Sequence, residues 1–112
     1  MIAKAKGRFI RIAPRKARLV VDLVRGRYAD EALGLLRFTR KGATKTVERL
    51  IKSALSNAEQ RSDVNVDNLY ISKATVDGGP ALKRFRPAPM GRALRVLKRT
   101  CHITIELDER ER

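Results

Sequence analysis

At 112 residues, with one cysteine, one histidine and a formal net charge of +14, the chain is long enough for one globular domain and too short for two. It cannot close an intramolecular disulfide or build a cysteine-rich zinc site. Lys plus Arg number 26 against 12 Asp plus Glu, and a body of this size repels itself at that charge unless a polyanion neutralises it. Nucleic acid is the commonest such partner, with an anionic membrane as the rival. No stretch approaches the ~18 apolar residues of a membrane span, and the N-terminus has no long apolar run, so a chain neither exported nor inserted is expected.

Residues 2–12 read as a strand, with partial alternation at Arg8, Phe9, Ile10, Arg11 and Ile12. Pro14 then stands at the first turn of a helix, where its missing N–H costs nothing. Ala17, Val20, Val21 and Val24 make one apolar stripe, expected to be widened by Leu19 and Leu23, and Gly26 supplies a left-handed cap at the C-terminal end. Arg15, Lys16, Arg18, Arg25 and Arg27 are left for the outer surface. A second helix is predicted over 30–38, with Ala32, Leu33, Leu35 and Leu36 inward and Asp30 and Glu31 favourably placed at its start. A third, over 41–60, carries Ala43, Val47, Leu50, Ile51, Ala54, Leu55 and Ala58 on one face, a stripe that reads as core.

Residues 61–67 form a polar loop, 68–77 a second strand, and Gly78-Gly79-Pro80 breaks it as a turn rather than a phosphate loop. From 100 to 107 the alternation is clean: Cys101, Ile103, Ile105 and Leu107 against His102, Thr104 and Glu106. Cys101 and His102 therefore point to opposite faces and cannot easily share a metal, so no metal site is expected. The order predicts an α+β fold: a small antiparallel three-stranded sheet packed on three helices. A frayed tail is expected over 108–112.

Residues 80–99 separate two strands by far more than a hairpin loop, and a structureless connection of that length is unusual in a compact domain. A long protruding β-hairpin resolves this, with arms over 81–86 and 93–99 and a tip at Pro87, Ala88, Pro89, Met90, Gly91 and Arg92. Arms of that length span roughly 20 to 25 Å at ~3.4 Å per residue. A disordered basic loop is the alternative. The division is then a single domain over 1–112, with a body at 1–79 and 100–107 and the hairpin at about 80–99.

Charge follows this division. Residues 1–27 carry nine basic residues and one acid, Asp22; residues 28–77 carry eight basic and seven acidic. Residues 78–105 carry Lys83, Arg84, Arg86, Arg92, Arg95, Lys98 and Arg99 and no acid. A merely solvated surface mixes signs. Two basic blocks flanking a balanced body point to two contact surfaces, and an isolated two-stranded ribbon of such charge needs a surrounding polyanion.

The chain resembles one family along essentially its whole length: the large-subunit ribosomal protein L twenty-two, universal uL twenty-two. The residues carrying this are R-I-A-P-R-K-A-R-L-V-V-D-L-V-R-G at 11–26, S-A-L-S-N-A-E at 53–59, V-D-G-G-P-A-L-K-R at 76–84, G-R-A at 91–93 and L-K-R-T-C-H-I-T-I at 97–105. The resemblance implies a structural constituent of the large ribosomal subunit in the cytoplasm, which contacts several domains of the large ribosomal RNA and supports early assembly. It implies a hairpin that lines the nascent polypeptide exit tunnel beside neighbouring large-subunit proteins. By position, Lys83, Arg84, Arg86, Arg92, Arg95, Lys98 and Arg99 inherit RNA contacts of the hairpin, and Arg11, Arg15, Lys16 and Arg18 those of the body. The tip departs from the family's frequent P-R-A-K-G-R-A: Ala88 and Met90 stand where positive charges are usual, and Pro89 is an added proline.

Two rival functions lack the residues they need. A helix-turn-helix DNA binder needs a helix combining a basic face with Asn or Gln base readers, and none is present. An enzyme acting on RNA needs a general base or metal cluster, for which one histidine and scattered carboxylates give no footing. No cofactor and no small-molecule substrate are implied.

Overall fold

A computed structural model of the chain describes residues 2–39, 42–61, 63–87 and 93–111, with backbone only over 82–87 and 93–98. The elements in order are β1 (Ala3–Ile10), α1 (Pro14–Val24), α2 (Ala29–Arg37), α3 (Thr44–Glu59), a 3-10 turn (Val66–Asn68), β2 (Leu69–Gly78), β3 (Leu82–Pro87), β4 (Ala93–Lys98) and β5 (Cys101–Glu109). The fold is α+β, as the periodicities indicate. Three strands form one antiparallel sheet in the order β1-β5-β2, so the last strand is its centre. The alternation of β5 explains this position: Cys101, Ile103, Ile105 and Leu107 are all fully buried on the helix side. Against them pack Val20, Val21 and Val24 of α1 and Val47, Ile51 and Ala54 of α3. Each fully buried aliphatic side chain stabilises the body by about 1.5–3 kcal/mol relative to exposure.

Helix α1 starts as expected, with Pro14 in its first turn and no side-chain cap. It ends where Gly26 takes φ +81°, a conformation open to glycine, and the Gly26 amide donates to Ile71 O at 2.9 Å. Leu19 and Leu23 do not widen its buried stripe; they are exposed. At ~100° per residue, Leu19 lies about 150° and Leu23 about 110° from the centre of the stripe set by Ala17, Val20, Val21 and Val24. In α2 only Ala32 and Leu36 of the four expected residues are fully buried, while Leu33 and Leu35 are half-buried, and Phe38 caps the helix almost bare to solvent. The start of α3 falls at Thr44, three residues later than expected.

Strand β1 is shorter and less regular than its sequence suggests. Its true alternation is Ala3 and Ala5 inward against Lys4 and Lys6 outward. The register breaks between Gly7 and Ile10. Gly7 makes this possible, since a Cβ there would meet Ile10 Cδ1 at 2.7 Å. Ile10 turns in against the core while Phe9 turns out.

The tail after Leu107, expected to fray, is paired in part. Strand β5 runs to Glu109, and the Arg110 amide donates to Asn68 O at 2.9 Å. The Arg110 guanidinium lies 4.3 Å from the Tyr70 ring centre and 5.3 Å from that of Tyr28, and the Tyr28 hydroxyl donates to the Arg110 and Glu111 carbonyls. Two tyrosines that read as ordinary loop and strand residues hold the tail down through cation–π attraction.

Strands β3 and β4 pair only with each other, in a six-rung antiparallel ladder from Leu82↔Lys98 to Pro87↔Ala93. Pro87 is therefore the last rung of β3 rather than part of the tip, at a strand end where its missing donor is tolerated. Ala88, Pro89, Met90, Gly91 and Arg92 lie outside the described residues. At the neck, the Gly79 amide donates to Thr100 O at 2.9 Å and Thr100 Oγ1 donates to Pro80 O at 2.6 Å. The molecule measures 65 × 24 × 16 Å with a radius of gyration of 17.2 Å, against ~13 Å for a compact chain of this length.

Candidate nucleic-acid interface

Nine basic residues precede Tyr28, and the fold divides them into two groups. Three arginines are bonded to the protein's own backbone. Arg18 Nη2 donates to Val76 O at 3.2 Å; Arg25 Nε and Nη2 donate to Ala74 O at 3.1 and 2.7 Å; Arg27 Nε donates to Leu23 O at 2.8 Å. Arg25 Nη1 also pairs with Asp22 at 2.6 Å, which accounts for the single acid of this block. The carbonyls that Arg18 and Arg25 reach belong to β2, an outer strand of the sheet. Together with Ile71, which bonds Gly26 and Arg27 through its carbonyl and amide, they close an edge that would otherwise be open to another chain. Arg18, expected to contact RNA, thus divides its guanidinium between fold and solvent.

The other six face water. Arg15 and Lys16 stand on the first turn of α1, Arg11 in the turn before it, and Lys4, Lys6 and Arg8 on the outer side of β1. Among the described residues their side chains make no hydrogen bond to the fold. Arg11, Lys16 and Leu19 line an open groove of about 490 Å³ between the β1–α1 turn and the segment at Gly42 and Ala43. Lys6 and Arg8 line a second depression of about 210 Å³ with Phe9 and His102. The β1 cations were not singled out in the sequence reading, although Ala3-Lys4-Ala5-Lys6 has the period of two that places both lysines on one face.

On the ribbon, Lys83, Arg84 and Arg86 belong to β3 and Arg95 and Lys98 to β4, while Arg99 follows as an exposed neck residue. Arg92 lies outside the described residues. Sheet and ribbon therefore carry the two basic blocks on different parts of the molecule. Among the described residues no catalytic arrangement accompanies them. Cys101 is enclosed by the core, and that burial pushes its thiol up, with the Arg18 charge opposing. His102 Nδ1 accepts from the Phe9 amide at 3.0 Å. Among the described residues, no group of three or more His, Cys, Asp or Glu could hold a metal, and no helix is long and apolar enough to cross a membrane.

Phe9 has φ +54°, in the left-handed region that costs a bulky residue about 1–2 kcal/mol, and it remains 62% exposed. Its ring meets His102 edge-on, centroids 4.9 Å apart at 86°.

The model of the family described as ribosomal protein L22p/L17e matches residues 5–108. The chain is 53% identical over 109 residues to the large ribosomal subunit protein uL22 of Desulfotalea psychrophila, an alignment covering 97% of this chain and 99% of that one. With the helices, the ribbon and nearly all of the sheet inside the matched range, the chain belongs to the L22p/L17e family of ribosomal proteins and is a structural protein, not an enzyme.

Proposed function

We propose that the chain is a structural constituent of the large ribosomal subunit in the cytoplasm, binding the large ribosomal RNA through two surfaces and lining the nascent-chain tunnel with its ribbon. The body surface is the water-facing set Lys4, Lys6, Arg8, Arg11, Arg15 and Lys16. The ribbon supplies Lys83, Arg84, Arg86, Arg92, Arg95, Lys98 and Arg99. One observation carries the reading: the segment 80–99, whose two strands pair only with each other, holds seven basic residues and no acid. Such a ribbon is marginal in water and gains its stability from a surrounding polyanion. Contacts to several RNA domains suit a molecule 65 Å long whose basic excess lies in two separate blocks, 1–27 and 78–105. Neighbouring large-subunit proteins and the nascent chain are the remaining partners, the latter at Ala88, Pro89, Met90, Gly91 and Arg92. The test is a crosslink map of the chain in isolated large subunits. Crosslinks from both 4–16 and 83–99 to large-subunit RNA are expected, and crosslinks from the body alone would sink the role given to the ribbon.

A further inference from the structure

We infer that the depression formed by Phe9, His102, Lys6 and Arg8 is a stacking site for one unpaired RNA base, with its phosphate held by Lys6 and Arg8. The inference deepens the proposed RNA-binding function and rests on it.

Four observations converge on this. First, Phe9 is the only non-glycine residue with positive φ among the described residues, and the core gains nothing from the strained backbone, because the ring points out. Second, the ring is not loose. Its own amide is bonded to His102 Nδ1 at 3.0 Å, and the His102 ring braces it edge-on at 4.9 Å. An edge-on neighbour covers at most one face of Phe9, which stays 62% exposed, so a flat face remains for a base, and every base has a π-face to offer. Third, Lys6 and Arg8 line the same depression. Lys6 stands just before the point where the β1 register breaks and Arg8 lies within the break, so the bulge that extrudes Phe9 also groups it with two cations. Fourth, the nearby acids are elsewhere on this sheet face: Glu106 opposes Lys4, and Asp77 opposes His102 from β2, on the side away from β1. A phosphate would therefore settle beside β1.

A nucleotide matches this chemistry better than an apolar side chain of a protein, which would use the aromatic ring and leave both cations idle. Sequence-tolerant stacking flanked by phosphate contacts is how single strands are held.

The test uses the full chain and a transcript of the large ribosomal RNA from the same cell. Phe9→Leu keeps apolar bulk but removes the π-face, and Phe9→Gly relieves the positive φ, so it folds even if the leucine variant does not. Both should bind the transcript on the order of tenfold more weakly, with the salt dependence unchanged, because stacking releases no counterions. Phe9→Trp should restore binding. Lys6→Ala with Arg8→Ala should instead reduce the log–log salt slope by about 0.7, the share of the one phosphate they hold. If the wild-type chain binds the transcript with normal salt dependence and both Phe9 variants match it, the stacking site is wrong and the RNA-binding function stands. If the wild-type chain shows no salt-dependent binding, both fall. Photocrosslinking at position 9 in assembled subunits adds an independent result: a nucleotide adduct is expected, and an adduct to a protein would overturn the inference.

Discussion

Replacing residues 80–99 by Asn-Gly should leave a folded body more stable than the full chain. The dipeptide closes antiparallel strands with the correct twist, and β2 and β5 are already paired up to Gly78↔Cys101, with the Gly79 amide on Thr100 O beyond. The described core comes from β1, the helices, β2 and β5, on either side of the ribbon in sequence. Shortening the connection from 20 residues to two is about 3.3 halvings of loop length. At ~0.6 kcal/mol each, closure becomes easier by roughly 2 kcal/mol. The seven ribbon cations leave as well, which lowers the self-repulsion of the body in the same direction. For a domain of this size 1 kcal/mol shifts the melting midpoint by about 4–8 °C, so a rise on the order of 10 °C is expected. Circular dichroism melts of the two proteins at equal salt measure it. A lower midpoint would show that the ribbon packs on the body and would refute the independence of the two parts. Expressed as the only copy, the shortened chain should still enter large subunits through its body cations, while nascent-chain passage changes; a folded variant missing from subunits would assign incorporation to the ribbon.

Replacing Lys83, Arg84 and Arg86 together by Ala should lower the log–log salt slope of RNA binding by about 2, at ~0.7 per phosphate contact, and an unchanged slope would remove β3 from the interface. Arg25→Ala should cost about 1 kcal/mol by freeing the Ala74 carbonyl and leave the salt slope alone, whereas Lys16→Ala should do the reverse; equal behaviour in urea titrations and RNA binding would contradict the split between the two groups. Because burial raises the Cys101 thiol, its contribution to stability is full below the unfolded thiol's range and is lost as pH climbs through the folded value. The stability gap between wild type and Cys101→Ala should therefore narrow above about pH 8.5, and parallel urea midpoints between pH 7 and 10 would refute it.

Elements whose burial is periodic were legible from sequence. The stripe of α3 and the alternation of β5 each follow from one side facing the same core, and a period records that directly. The ribbon was legible for a different reason: a connection too long for a loop, with acids absent. What the sequence could not convey were interactions that depend on two distant segments meeting. Arg18, Arg25 and Arg27 look the same in sequence as Arg11 and Arg15, and only the proximity of β2 carbonyls and a helix end separates them. Phe9 sits in a partly alternating run that does not mark its ring as outward, and only the register break between Gly7 and Ile10 shows that it turns to solvent. The tail reads as frayed because Arg110 finds Tyr28 and Tyr70 only once the strands are in register.

The neck has a mechanical meaning. Gly79 and Thr100 approach so closely that a Cβ on Gly79 would meet Thr100 Oγ1 at 2.5 Å and the Thr100 backbone at 3.3 Å. Beyond this pinch the ribbon is a lever whose paired arms alone reach about 20 Å at ~3.4 Å per residue. A pivot of ten degrees at the pinch sweeps the far end through roughly 3.5 Å, about the thickness of a stacked base, over that ~20 Å reach. Aim at the far end is thus set by one side chain's worth of space at the fulcrum. A methyl group added at Gly79 acts as a wedge whose displacement is felt at the other end of the molecule, long before the core of the body registers it.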